Sequence, residues 1–261
     1  MIKKNIKQIL LILLVFIVGI FFIEEYINKG IEEDFFTDLY LYLWNGNLNI
    51  VFLIVFLVAF HELCVMDSYK KIFNHFDKYI ITRIGYKKFY LNEYRIISLK
   101  SIAYYFIVHF FLIFYCLIRF GYKTSNNLEL FKYHIFNNNP LVNLIIFIIL
   151  SSLGLIILNC FIFSIGSFIK NIYLFRFTSL AFFFISLLFS ILFSTVIQKI
   201  FGSTELIKTI GQSFMVTSLI QPGMAFMMYG YLNFLIAAII YVTLTIIIIS
   251  IVIKYRTTYD G

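Results

Sequence analysis

The sequence predicts an all-α, polytopic membrane protein with six transmembrane helices and both termini on the cytoplasmic side. Three observations lead there. The 261 residues are 62% hydrophobic and only 13% charged, with a mean hydropathy of +0.94, whereas soluble domains run about 45–50% apolar and about 25% charged. The apolar residues gather in runs close to the ~20 residues a bilayer core requires. Lysine and arginine collect in segments that six crossings bring to one side. A water-soluble globule of this size could not bury so much apolar surface. The composition therefore excludes a cytosolic enzyme, a disordered tail and a disulfide-stapled secreted module.

The spans follow in order as about 9–23, 48–66, 96–118, 141–163, 175–197 and 229–253. The first stands behind Lys3, Lys4 and Lys7. It is a retained span and not a signal peptide, because Phe22, Ile23 and Glu24 stand where a small-residue cleavage site would be needed. The segment 67–95 carries Lys70, Lys71, Lys78, Arg83, Lys87, Lys88 and Arg95, the fourth-to-fifth connection Lys170 and Arg176, and the tail Lys254 and Arg256. With the amino-terminal lysines, these four segments fix the orientation independently of one another. The formal charge of +8, which in a soluble chain would suggest nucleic acid, is accounted for by these loops, so no nucleic-acid partner is expected. Cys64, Cys116 and Cys160 all lie in apolar runs and read as small buried hydrophobes.

Two segments are expected to face outward, 24–47 and 198–228. The first is acidic, with Glu24, Glu25, Glu32, Glu33, Asp34 and Asp38 against Lys29. It either steers a cationic peptide or simply carries acids where acids are tolerated. The second is semi-apolar and contains Gly202, Gly211, Pro222 and Gly223. It reads as a surface helix or as a segment that dips back into the membrane. The single domain is 1–261, with no internal repeat and no separate soluble domain.

The segment 67–95 is the most informative. In Ser68–Ile81 the residues Tyr69, Ile72, Phe73, Phe76, Tyr79 and Ile80 fall on one helix face, with Lys70, Lys71, Asn74, Asp77 and Lys78 opposite. Asp67 or Ser68 can cap its start, and Gly85 can stop it. Such a helix either lies on anionic headgroups or offers aromatic anchors to a soluble partner.

Six spans, both ends inside, this helix after the second span, and the run Arg83-Ile84-Gly85-Tyr86-Lys87-Lys88-Phe89-Tyr90 that follows it resemble the permease subunit of a bacterial type-2 ATP-binding-cassette exporter. The resemblance implies that Tyr69, Ile72, Phe73, Phe76, Asp77, Arg83 and Gly85 form a coupling segment for a separate ATPase subunit. It also implies that ATP and Mg are held there and not on this chain, that the path is shared with a second permease copy, identical or related, and that the protein sits in a bacterial plasma membrane. The connection 198–228 would shape the outer gate. The absence of any G-x-x-x-x-G-K-[ST] loop agrees with an ATPase on another chain. Lipid, glycan, antimicrobial peptide and toxin all remain open as cargo, with a peptide or other amphipathic molecule favoured by the acidic segment.

Glu62 is the only acid inside an expected span and follows His61. The start of an H-E-x-x-H zinc motif fails at Val65, so no metal is expected. Glu62 is expected to pair with Lys70 or Arg83, or else to contact cargo. His109, in the middle of the third span, is expected to make an interhelical hydrogen bond or to line the path. Ser186, Ser190 and Ser194 recur every four residues and read as a packing face for a close helix neighbour. Two other readings stand beside transport: an intramembrane protease or transferase, and a stand-alone immunity or scaffold protein.

Overall fold

The computed structural model describes residues 2–28, 36–44, 50–74, 76–121, 136–137, 139–202, 205–223 and 232–259. Among these the regular elements are all α-helices: α1 (Ile2–Asn28), α2 (Phe36–Leu43), α3 (Ile50–Cys64), α4 (Met66–Phe73), α5 (Phe76–Ile84), α6 (Tyr86–Phe120), α7 (Pro140–Gly166), α8 (Ile172–Arg176), α9 (Thr178–Phe201), α10 (Glu205–Gln212), α11 (Thr217–Ile220) and α12 (Leu232–Tyr259). The chain is an all-α polytopic membrane protein. α1, α6, α7, α9 and α12 are each long and apolar enough to cross a bilayer. α3 and α4 meet the same test only together, as a pair bent by 53°, which makes six spans where the pair counts as one broken crossing and five where it is a re-entrant loop. At 15 residues, α3 alone is roughly 22 Å long, short of the ~30 Å hydrocarbon core.

Local chemistry sets several boundaries. Pro140 opens α7, and the Asn139 side chain accepts from the amides of Leu141 and Val142. Asn171 caps α8 in the same way. Gly85 separates α5 from α6 at φ 79°, a left-handed backbone that favours glycine. α6 then runs 35 residues, roughly 52 Å. The third span therefore continues, as one helix, well past its apolar part into the Lys87–Arg95 region. The helix expected over 68–81 is corrected to two. α4 stops at Asn74, whose amide still reaches the Lys70 carbonyl at 3.0 Å, and α5 starts afresh at Phe76. Asparagine competes with its own backbone for hydrogen bonds and so favours helix ends.

The bundle has a basic end, where α4, α5 and α8 lie, and an opposite end holding α2, α10 and α11. At its centre Tyr40, Trp44, Phe52, Phe56, Phe60, Tyr105 and Phe147 are fully buried, whereas Leu10, Ile17 and Phe21 of α1 and Leu188 and Leu192 of α9 are exposed, as suits a lipid-facing surface. The three cysteines are unpaired.

Of the two expected external segments, the first needs revision. Residues 36–44 of the acidic segment form no open loop. The described side chains of α2, and Trp44, are buried inside the bundle, because Phe36, Leu39, Tyr40, Leu41, Tyr42, Leu43 and Trp44 make the stretch predominantly apolar. Glu24 extends α1 and binds Arg119 at 3.2 Å and the Tyr115 hydroxyl. Glu32, Glu33 and Asp34 lie outside the described residues. The segment 205–223 folds back against α9 and α7. Its Gly211 carbonyl accepts from Ser190 at 2.6 Å, its Val216 amide donates to Ser186 at 3.2 Å, and its Ile220 carbonyl accepts from Ser151 at 2.5 Å. The contacts step down α9 from Ser190 to Ser186 and end halfway along α7.

Candidate functional site

Two clusters of polar and aromatic side chains stand out, one at the basic end of the bundle and one at its centre. At the basic end α3 bends into α4 because the sequence changes character there. Tyr69 and Ile72 stay against the bundle, while Asp67, Lys70 and Lys71 must leave the apolar layer. Four contacts hold the bend. Tyr69 is fully buried, stacks on Phe175 of α8 with ring centroids 3.7 Å apart, and donates to the Ile169 carbonyl at 2.8 Å. Asp67 binds Lys100 at 2.7 Å, and Lys71 binds the buried Glu93 at 2.6 Å. Asp67 and Lys71 are one turn apart on α4, so these two pairs of opposite sense strap that helix to α6. Glu62, at the end of α3, binds Lys7 of α1 and lies 3.7 Å from Arg176 of α8.

Glu62 thus pairs with neither Lys70 nor Arg83. Its partners are Lys7 and Arg176, because α4 turns away while α1 runs antiparallel to α3 and brings Lys7 to the depth of Glu62. Equal depth on neighbouring antiparallel spans was the available signal. Of the expected coupling residues, Tyr69 and Ile72 are buried within the chain. Phe73 is 38% exposed and Tyr79 72% exposed. Arg83 helps line a shallow groove of about 500 Å³ with Tyr79, Ile80 and Ile84 on α5. Gly85 forms the α5–α6 joint, and the side chains of Phe76 and Asp77 lie outside the described residues. Phe175, which sequence reasoning counted only as the first residue of a span, is the hub of this end. It is fully buried and touches His61, at a centroid distance of 4.8 Å, as well as Tyr69.

At the centre two pieces that pack inward from the opposite end meet. The Gln221 side chain donates to the Trp44 carbonyl, joining the segment after α11 to the one after α2. His109 is not near Glu62. Its Nδ1 meets the Tyr40 hydroxyl, and its ring stacks on Trp44 at 5.0 Å and lies 3.6 Å from Tyr105. Ser186 and Ser190 pack against the 205–223 segment of their own chain, and a Cβ on Gly211 would sit 1.9 Å from the Ser194 hydroxyl oxygen, so the serine stripe admits a close backbone approach. Gln221→Ala leaves the buried Trp44 carbonyl without this donor. We expect a loss of about 1–3 kcal/mol, read as a lower thermal midpoint in mild detergent and faster modification of a cysteine placed at Ser218; an unchanged midpoint and unchanged protection would refute the link.

Among the described residues no three His, Cys, Asp or Glu side chains converge into a metal-binding group. No family model, curated protein or solved structure matches the chain.

Proposed function

We propose that the chain is the permease half of an ATP-driven exporter of a bacterial plasma membrane. It forms the path with a second permease copy, identical or related, and is driven by a separate ATPase subunit that holds ATP and Mg. The observation that carries the reading is the two-sidedness of the described side chains of α4 and α5. One side offers the aromatic residues Phe73 and Tyr79 and the groove beside Arg83 to solvent. The other is fixed to α6 by two ion pairs and to α8 by the Tyr69–Phe175 stack. A force on the outer side is passed to several spans at once, as a packed and bonded element moves as a body. The basic end faces the cytoplasm, in keeping with its lysines and arginines, and both termini lie there. At the far end, the buried pieces joined by Gln221 and Trp44 serve as the closure that alternating access must open. An amphipathic cargo, such as a peptide, suits the acidic residues that follow α1 in sequence.

The test is co-purification. The tagged chain is isolated from its source cells in mild detergent, and the ATPase that comes with it is quantified by mass spectrometry and ATP hydrolysis. Phe73→Glu combined with Tyr79→Glu changes the exposed Tyr79 and the 38% exposed Phe73, which rests on Tyr69 at a centroid distance of 6.1 Å, so the thermal midpoint is expected to fall by no more than about 4 °C. The recovered ATPase is expected to fall at least about tenfold, the effect of losing two aromatic anchors. Recovery equal to that of the parent would sink the coupling assignment and the transport reading with it.

A further inference from the structure

Between α1 and the α3–α4 bend lies a crevice of about 340 Å³, within the size range of small-ligand sites. Its donors are the ammonium groups of Lys7 and Lys70 and the Gln8 amide, and Leu11 and Leu63 form an apolar wall. Two carboxylates also reach it, Glu62 and Asp67, but both are already committed. Glu62 is shared by Lys7 and Arg176, and Asp67 is held by Lys100. Among the described residues four cations therefore surround two acids, and Lys70 has no ion-pair partner there. The excess charge is positive and lies in a cleft walled by apolar side chains, where an anion is attracted more strongly than on an open surface. The crevice opens where the spans leave the apolar layer, and just along α1 the side chains of Leu10, Leu13 and Ile17 are exposed, offering a track for acyl chains.

We propose that this crevice binds a phosphate group, that of an anionic phospholipid in the adjoining leaflet, between Lys70, Lys7 and Gln8. Basic pockets between spans suit such headgroups, and the ammonium–phosphate contacts are charge-assisted hydrogen bonds. The site does not depend on the transport reading. A bound headgroup competes with Glu62 for Lys7, so occupancy bears directly on the contact that ties α1 to the bend.

The experiment is thermal unfolding of the purified full chain in a neutral detergent. Dioctanoyl phosphatidylglycerol, dioctanoyl phosphatidylcholine and inorganic phosphate are titrated separately. Phosphatidylglycerol is expected to raise the midpoint by about 5 °C, and phosphatidylcholine to leave it within about 1 °C. Lys70→Ala, which breaks no ion pair among the described residues, is expected to weaken the phosphatidylglycerol response about tenfold in concentration. A Lys87→Ala, Lys88→Ala double variant, changing exposed lysines elsewhere at the basic end, keeps the response. Should Lys70→Ala lower the midpoint in the absence of lipid, Lys70→Gln repeats the titration with an uncharged side chain of greater length. Inorganic phosphate reproducing the whole shift at equal concentration would uphold the anion site and make soluble phosphate its ligand. Equal shifts from both lipids, a full response in the Lys70 variants, or loss of the response in the Lys87, Lys88 variant would overturn the proposal.

Discussion

Replacing Gly154 by alanine detaches the 205–223 segment from α7 and costs about 3 kcal/mol, at the upper end of what overpacking a close contact does. A Cβ at this position would stand 1.8 Å from the Leu219 carbonyl oxygen and 2.5 Å from its carbonyl carbon. Both are backbone atoms, so no side chain can rotate away. The segment must lift, and the Ser151 hydroxyl then loses the Ile220 carbonyl it holds at 2.5 Å. The expected drop in thermal midpoint is roughly 10 °C for a chain of this size. A cysteine at Ser218, buried in the parent, becomes open to a water-soluble maleimide. Leu153→Ala, one residue away and 47% exposed, is the control and is expected to change stability by no more than about 0.5 kcal/mol. If Gly154→Ala melts with the parent and leaves the Ser218 position protected, the close approach of α11 to α7 is wrong.

The features of the fold that could be read from the chain are those that depend on long averages or fixed spacing. Long apolar runs locate α1, α6, α7, α9 and α12, because the lipid requirement acts on some twenty residues at once. The four-residue spacing of Ser186, Ser190 and Ser194 marks a face of close approach, although it does not say that the neighbour is the chain's own 205–223 segment. Gly85 stands out because few other residues accept its backbone angle. The stretch at 36–44 escapes such reasoning. At nine residues it is too short to count as a span, it lies beside an acidic cluster, and only the cavity enclosed by α3, α6 and α7 gives its apolar side chains a place to go. His109 follows from this: its partners Tyr40 and Trp44 belong to an element that hydropathy assigns to the exterior. The partners of Glu62 are set by the 53° bend, which arises where α4 becomes amphipathic and has no glycine or proline to announce it. Phe175 is one of 33 phenylalanines, and nothing in sequence separates a ring that faces lipid from one on which several elements converge.

Phe175→Ala is expected to cost about 3–5 kcal/mol, the largest effect of any single side chain at the basic end. The ring is fully buried, stacks on Tyr69 at 3.7 Å with planes 15° apart, and faces His61. It lies so close to α7 that a Cβ on Gly166 would come within 2.4 Å of it. Truncation therefore leaves a cavity shared by α3, α4, α7 and α8 and removes the one aromatic surface that joins α4 to α8. Phe175→Leu separates the two consequences. It restores most of the volume, so the stability loss should shrink to about 1–1.5 kcal/mol, but it cannot restore the stack. On the proposed transport role, the leucine variant retains the exposed Phe73 and Tyr79 surface and recovers the ATPase subunit at the parent level. It nevertheless loses cargo-dependent ATP turnover about tenfold, because the bend no longer moves with α8. The measurement is ATPase activity of the reconstituted pair with and without cargo, beside the thermal midpoint of each variant. Cargo-stimulated turnover equal to the parent in Phe175→Leu would mean that force does not travel through the Tyr69–Phe175 stack, and the ion pairs Asp67–Lys100 and Lys71–Glu93 would then have to carry it alone.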